Sequence, residues 1–289
     1  MFKKLKAVWD LTRLEHGLIY AISMVVSLVI AYHSITDLDM NLVVAGVIAV
    51  TAAEMGAFAL NDYFDVDVDR KNRRTDRPIV RGDISKNEAL LLTAVSFIVS
   101  IVAGYFMNNL GALIVIVVLI AFGILYDYKL KEYGIIGNLY IAFTMAAPFL
   151  FSSMLFKDSQ VLLLLSAIAF FVGLGREIMK GIMDIEGDAL RDVKTVARVY
   201  GTKTAKYVAV VLYLISILLA PVPFVFNIDE HFYNNIAYAI PAAIASLILL
   251  YVCVNLLRGH ERKAVSQARK VTLLGMVVAL IAFLTGALT

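Results

Sequence analysis

The stretch NLVVAGVIAVTAAEMGAFALNDYFDVDVD, residues 41–69, decides the fold. Its apolar part, Asn41 to Leu60, holds a single ionisable group, Glu54, whereas the nine residues after it hold Asp62, Asp65, Asp67 and Asp69. Roughly 20 apolar residues is the length a helix needs to cross the hydrocarbon core of a bilayer. The acids begin where that length is used up. The passage therefore reads as a transmembrane helix with a charged motif at one end.

Eight further apolar runs flank it: Gly17 to Tyr32, Ala89 to Met107, Gly111 to Tyr126, Ile136 to Phe156, Val161 to Gly175, Tyr207 to Phe226, Ile236 to Leu257 and Val271 to Leu288. Together they predict an all-α integral membrane protein of about nine transmembrane helices in a single domain. Composition agrees, with 61% hydrophobic and 17% charged residues over 289 positions, far more apolar than one soluble core requires. The net charge of +3 does not indicate nucleic acid, because the basic residues lie in connecting segments and form no basic face. The basic start, Met1 to Asp10, is followed by an apolar run without a small-residue cleavage signal, so that run reads as a retained first span. Cys253, the one cysteine, sits inside a span and reads as packing.

Lysine and arginine collect in cytoplasmic loops. With the N-terminus inside and the C-terminus outside, every one of the 26 basic residues except Lys157 falls on the cytoplasmic side. This places the protein in the cell membrane as a multi-pass chain with its charged motifs facing the cytoplasm. Two long inner loops, about 61–87 and 176–205, follow spans two and six, and each opens with acids spaced by four. They suggest two pseudo-repeated halves.

In the first motif Asn61, Asp65 and Asp69 share a helix face. In the second, DIEGDALRD, Asp184, Asp188 and Asp192 repeat the spacing. Side-chain oxygens without imidazole or thiolate suit a hard cation, and Mg²⁺ is commonly held by carboxylates together with substrate phosphates. Like charges at i, i+4 repel and ionisable groups near hydrocarbon are costly, so two such rows call for a compensating cation. Mg²⁺ held between them would grip a diphosphate and turn it into a leaving group, with an apolar bundle sheltering the resulting carbocation from water. The plainer reading of either row is a solvated loop or a set of counterions for nearby arginines. Basic residues beside the rows include Arg73, Arg74, Arg77 and Arg81, then Lys129 and Lys131 after Tyr126. Arginine's planar fork suits phosphate oxygens. Glu54 reads equally as a functional carboxyl or as a structural hydrogen bond. His16, His33, His231 and His260 show no ligand spacing and read as no metal site.

These motifs resemble those of the UbiA-type intramembrane prenyltransferases. NDYFDVDVD fits NDxxDxxxD, DIEGDALRD fits the second DxxxD motif, RTDRPIVRG is similar to the TxxRPxxxG continuation, and YDYKLK to a segment after the fourth helix. The resemblance spans nearly the whole chain. It implies nine helices around a central cavity and Mg²⁺-dependent ionisation of a prenyl diphosphate. It implies Asn61, Asp65, Asp69, Asp184, Asp188 and Asp192 as metal ligands, with Asp65, Asp188 and Lys131 central to catalysis. Arg73, Arg77, Tyr126, Lys129, Lys131 and Lys180 would face substrate, and Arg13 the acceptor. NDYFDVDVDR with GREIMKGIMDIEGD most resembles the archaeal digeranylgeranylglyceryl phosphate synthases. That implies transfer of a geranylgeranyl group to the free hydroxyl of geranylgeranylglyceryl phosphate, a phosphorylated lipid acceptor, in ether-lipid synthesis. The alternatives are an aromatic prenyltransferase of quinone synthesis and, from a different class, an ion-coupled transporter, which would place its acids near the bilayer midplane.

Overall fold

The computed structural model describes residues 2–71, 73–155, 159–183, 185, 193–259 and 262–289. Among them nine helices are long and apolar enough to cross a membrane. A short helix, α1 (Phe2–Thr12), precedes the first span, α2 (Leu14–Tyr32). There follow α3 (Met40–Lys71), a one-turn α4 (Pro78–Arg81), α5 (Lys86–Tyr105) and α6 (Leu110–Tyr128). A 3₁₀ turn (Leu130–Tyr133) leads into α7 (Ile135–Leu155) and α8 (Gln160–Met183). The chain ends with α9 (Val196–Leu219), kinked at Gly201, a short α10 (Val222–Val225), α11 (Ile236–Arg258) and α12 (Arg262–Leu288). It is the predicted all-helical membrane architecture.

Two compact units divide the chain. One comprises Met1–Leu28 with Leu38–Lys129, the other Val29–Asp37 with Leu130–Thr289. In the first, α3 packs along α5 through a stripe of small buried residues, Ala45, Ala49, Ala52, Gly56 and Ala59. Small side chains let helix backbones approach closely, which drives packing in lipid where the hydrophobic effect does not. A Cβ on Gly56 would stand 2.6 Å from the Phe97 ring. The Ser100 hydroxyl donates to the Ala49 carbonyl at 2.8 Å across this seam. On its other side α5 exposes Leu91, Val95, Ile98 and Val102 at helical spacing, the inverted pattern expected where lipid is the solvent.

Three differences from the sequence reading matter for the site. α1 was not foreseen; it buries Ala7 and Leu11 against Ala59, Val66, Ile79, Ile84 and Ala89. The supposed loop 61–87 is helix as far as Lys71. At 1.5 Å per residue, the 32 residues of α3 reach about 48 Å, so roughly its last dozen extend beyond a ~30 Å hydrocarbon core. Likewise the segment 176–205 begins as helix, with α8 running to Met183.

In the second unit α8 packs between α7 and α9 over a core that includes Ala142, Leu174, Ile178, Val196 and Ala205. Gly134, at φ 54°, lets the turn before α7 press against the chain entering α9. A Cβ there would lie 1.9 Å from the Lys194 carbonyl oxygen. The Lys194 amide donates to the Glu132 carbonyl at 3.3 Å, and the Thr195 side chain caps α9.

Candidate active site

Because α3 continues past Leu60 as helix, its acids stand at fixed angles. At about 100° per residue, Asn61, Asp62, Asp65 and Asp69 fall within one sector of about 100°, while Asp67 points elsewhere. Asp67 is indeed exposed, facing Arg70 at 3.8 Å. The sector's centre of gravity is a residue the sequence reading did not select. Asp62 is 1% exposed and its Oδ1 accepts from Arg13 Nη2 at 2.7 Å and faces Arg77 Nη1 at 3.0 Å. Arg77 Nε also lies 3.6 Å from the buried Asp69. The other Asp62 oxygen, Oδ2, is buried without a hydrogen-bond partner.

Local sequence explains how the two arginines arrive. Arg13 sits at φ 44° in the break between α1 and α2, and its guanidinium lies 4.4 Å over the Phe58 ring, a favourable cation-π placement. Arg77 precedes α4, which begins with Pro78 at its first turn and ends on the left-handed Gly82. Proline at the start and glycine at the end fix a one-turn helix. Asn61 reaches sideways, its Nδ2 donating to the buried Asp127 Oδ1 of α6 at 2.8 Å.

Other candidates are placed differently from expectation. Arg74 makes two bonds to Asp76, at 2.9 and 2.8 Å. Arg81 joins Asp10 at 2.9 Å and Asp83 at 2.8 Å and donates to the Asp76 carbonyl. Both brace the loop around α4 instead of presenting free forks to phosphate. These bonds hold Asp76 below the usual carboxylate range through Arg74, and Asp83 through Lys3 and then Arg81. Arg73 is exposed at φ 53°. Tyr126 is half-buried near the end of α6, and Lys129 follows that helix as its cap. Lys131 lies in the 3₁₀ turn of the second unit, beside the contact between Glu132 and Lys194.

Also in the second unit, Lys180 pairs with Glu177 at 3.4 Å on α8. Two arginines there carry buried Nε atoms without partners, Arg176 on α8 and Arg269 on α12. Arg269 was missed by sequence reasoning because it looked like one more inner-loop cation. Asp184, Asp188 and Asp192 lie outside the described residues. Glu54 is half-buried within α3 and has no hydrogen-bond or ion-pair partner among the described residues.

Could the acid row hold a hard cation? Its donors are carboxylate and amide oxygens only, and Asp62 Oδ2 is a buried acceptor with nothing to accept from. The row gathers the carboxylates Asp62, Asp65 and Asp69, with Arg13 and Arg77 set against Asp62 and Asp69. A divalent cation placed between these carboxylates and an anionic substrate would attract both. The residues fit Mg²⁺.

The sequence profile of the UbiA prenyltransferase family matches residues 20–274. Digeranylgeranylglyceryl phosphate synthase of Archaeoglobus fulgidus is 44% identical over 285 residues, covering 98% of this chain and 96% of that protein. A solved structure concerning digeranylgeranylglyceryl phosphate synthase in membranes superposes with a TM-score of 0.85 at 29% identity, covering 99% of each chain. A UbiA homolog from Archaeoglobus fulgidus bound to DMAPP and Mg²⁺ shares the fold, with a TM-score of 0.69 at 16% identity, covering 96% of this chain and 98% of the other.

Proposed function

Because the chain belongs to the UbiA prenyltransferase family, we propose that it transfers a geranylgeranyl group from geranylgeranyl diphosphate to the free hydroxyl of geranylgeranylglyceryl phosphate. The observation that carries the site assignment is the buried Asp62 gripping both Arg13 and Arg77 beside the row Asn61, Asp65 and Asp69. In this reading Asn61, Asp65 and Asp69, with Asp184, Asp188 and Asp192 of the second motif, hold Mg²⁺. Bound Mg²⁺ supplies positive charge that makes diphosphate a better leaving group.

The chain's own groups do the rest. Asp62 fixes two guanidinium forks so that their remaining N–H groups are pre-oriented toward phosphate oxygens. Arg77 and Lys131 bind the diphosphate, and Asn61 is held in register by Asp127. Arg13 stands at the acceptor side, while Arg176 and Arg269, each with a buried Nε that has no hydrogen-bond partner, receive the acceptor's phosphate. The carbon–oxygen bond to diphosphate breaks with its electron pair on the leaving group. The acceptor hydroxyl oxygen then forms the ether bond to the allylic carbon and releases its proton. The apolar helices exclude the water that would compete for the cation. The site faces the cytoplasm in this reading.

The test is turnover by the purified full-length protein in detergent with Mg²⁺ and geranylgeranyl diphosphate. Geranylgeranylglyceryl phosphate and 4-hydroxybenzoate are offered separately, and product is identified by mass. Prenylation of the glycerol phosphate ether alone is the expected result. Prenylation of the aromatic acid alone would overturn the acceptor while keeping the reaction class.

A further inference from the structure

Helix α1, at 11 residues, reaches only about 16 Å and is too short to cross a bilayer. Its two faces differ sharply. At about 100° per residue the buried Ala7 and Leu11 lie within about 40° of each other, and Leu5 and Trp9 each lie about 160° from Ala7. Leu5 is 59% exposed and Trp9 47%, a neighbouring pair at i, i+4 on the side away from the core. Lys6, also exposed, flanks Trp9. Lys3 and Lys4 are engaged elsewhere, by Asp83 at 2.9 Å and by Glu88. We propose that α1 is an interfacial helix whose Leu5–Trp9 stripe docks in the headgroup layer of the bilayer that the spans cross.

The height of α1 on the bundle decides what covers the stripe. Ala7 and Leu11 pack with Ala59, Val66, Ile79, Ile84 and Ala89. Ala59 belongs to the last apolar turn of α3, just before Asn61, and Ala89 opens the apolar run of α5. One residue past α1, Arg13 bonds Asp62 at 2.7 Å and lies 4.4 Å over the Phe58 ring. Near the other end of α1, Lys4 meets Glu88 in the first turn of α5. Both ends therefore rest at the level where a span meets its charged flank, so α1 runs across the rim of its unit and its outer face looks out at headgroup depth. From there α2, beginning at Leu14, exposes Leu18, Ile19 and Ile22, so an apolar outer surface continues from the stripe down the first span.

The side chains suit that layer better than either phase beside it. Water would leave leucine and indole solvated, and hydrocarbon would strand the Lys6 ammonium. Tryptophan concentrates at the membrane interface, where its ring is half in the apolar phase and its N–H is wet, and a lysine beside it extends its charge to the phosphates. Amphipathic helices with this division lie in the plane of the headgroups. A second copy of the chain is the competing occupant. A two-residue stripe falls well short of the roughly 800 Å² per partner that a stable interface buries, and a two-fold contact through it would bring Lys6 toward its own symmetry mate.

Trp9 is the one tryptophan of the chain, so its fluorescence reports α1 without labelling. The full-length protein is placed one copy per nanodisc in phosphatidylcholine brominated either near the glycerol end or near the methyl end of the acyl chains. Excitation is at wavelengths where tyrosine does not absorb, and iodide serves as the aqueous quencher. Shallow bromines should lower the emission about twofold or more, and deep bromines and iodide should each change it by less than about a fifth. Leu5→Trp in a Trp9→Phe background should give the same order, since both positions belong to one stripe. Quenching by iodide without a response to bromine would show a solvated face and overturn the proposal. Stronger quenching by deep than by shallow bromines would place α1 in hydrocarbon and overturn it equally. Insensitivity to every quencher in single-copy discs would mean that protein covers the stripe, which also refutes lipid docking.

Discussion

The substitution Asp62→Asn isolates what the buried carboxylate does for the two arginines. The amide keeps an oxygen in place and changes the volume little, so the fold of α3 should survive. What goes is charge. A hydrogen bond to a charged group contributes about 1.5–3 kcal/mol, against about 0.5–1.5 kcal/mol for a neutral one. With a hydrogen bond from Arg13 at 2.7 Å and an ion pair to Arg77 at 3.0 Å, both at Oδ1, the change weakens the grip by about 2–3 kcal/mol. If that grip is what presents both forks to substrate, the loss appears as weaker diphosphate binding. At tenfold per 1.4 kcal/mol, KM for the prenyl diphosphate should rise roughly 30- to 140-fold. The assay is steady-state product formation at saturating acceptor and Mg²⁺, with circular dichroism to confirm retained helix. A KM within twofold of wild type in the folded variant would falsify the positioning role of Asp62.

Other outcomes are expected from the same geometry. Asp65→Ala should abolish turnover at any Mg²⁺ concentration while leaving the helices intact; near wild-type product formation would remove Asp65 from the site. Gly134→Ala forces a Cβ to within 1.9 Å of the Lys194 oxygen at φ 54°. The backbone alone costs about 1–2 kcal/mol, so thermal midpoint should fall, and an unchanged midpoint would contradict the contact. Asp76 and Asp83 have depressed folded values, so their contribution is present above the ordinary carboxylate pKa and is lost as pH falls through the lower folded one. Unfolding midpoints between pH 6 and pH 3 should decline less in Arg74→Gln than in the wild type, and parallel curves would discount the Arg74–Asp76 pair. Glu54→Gln tests its open reading: halved or lower turnover makes the carboxyl functional, and unchanged turnover makes it structural.

The spans were legible because each is an apolar run of near-bilayer length, and the acid row because carboxylates at i, i+4 have no business beside hydrocarbon without a purpose. Asp62 was legible in principle. It stands seven residues before Asp69, about 20° away around the helix, yet the i, i+4 template passes over it. Its partners were not legible, since Arg13 and Arg77 come from segments outside α3 and only packing reveals which of several cations arrives. The same limit hid the roles of Arg74 and Arg81, whose carboxylates Asp76, Asp10 and Asp83 are ordinary loop acids in sequence. The stacking of His33 on His231 beside Asp229 was not legible either, since the three come from segments that only packing brings together. α1 escaped because a basic start reads as topology before it reads as a helix.

The extension of α3 beyond Leu60 links these observations. A row of carboxylates at i, i+3 and i, i+4 should fray a helix end, since each like-charged neighbour costs about 0.2–0.5 kcal/mol. Asp62 with Asp65, and Asp65 with Asp69, therefore oppose the helix by about 1 kcal/mol at most. Against this stands the pairing of buried Asp62 with Arg13 and Arg77, and removing one partner from a buried ion pair costs about 3–5 kcal/mol. Val66 on the same turn adds burial among Ala7, Leu11 and Ile79. Persistence of the helix is therefore decided by residues supplied by α1, α4 and the break at Arg13, not by propensity within the motif. In the proposed function that arrangement gives the continuity of NDYFDVDVD with a membrane span its purpose: a helix braced from outside would hold oxygen ligands at a set height above the hydrocarbon, where a diphosphate head group could meet them while its tail stays in the apolar phase.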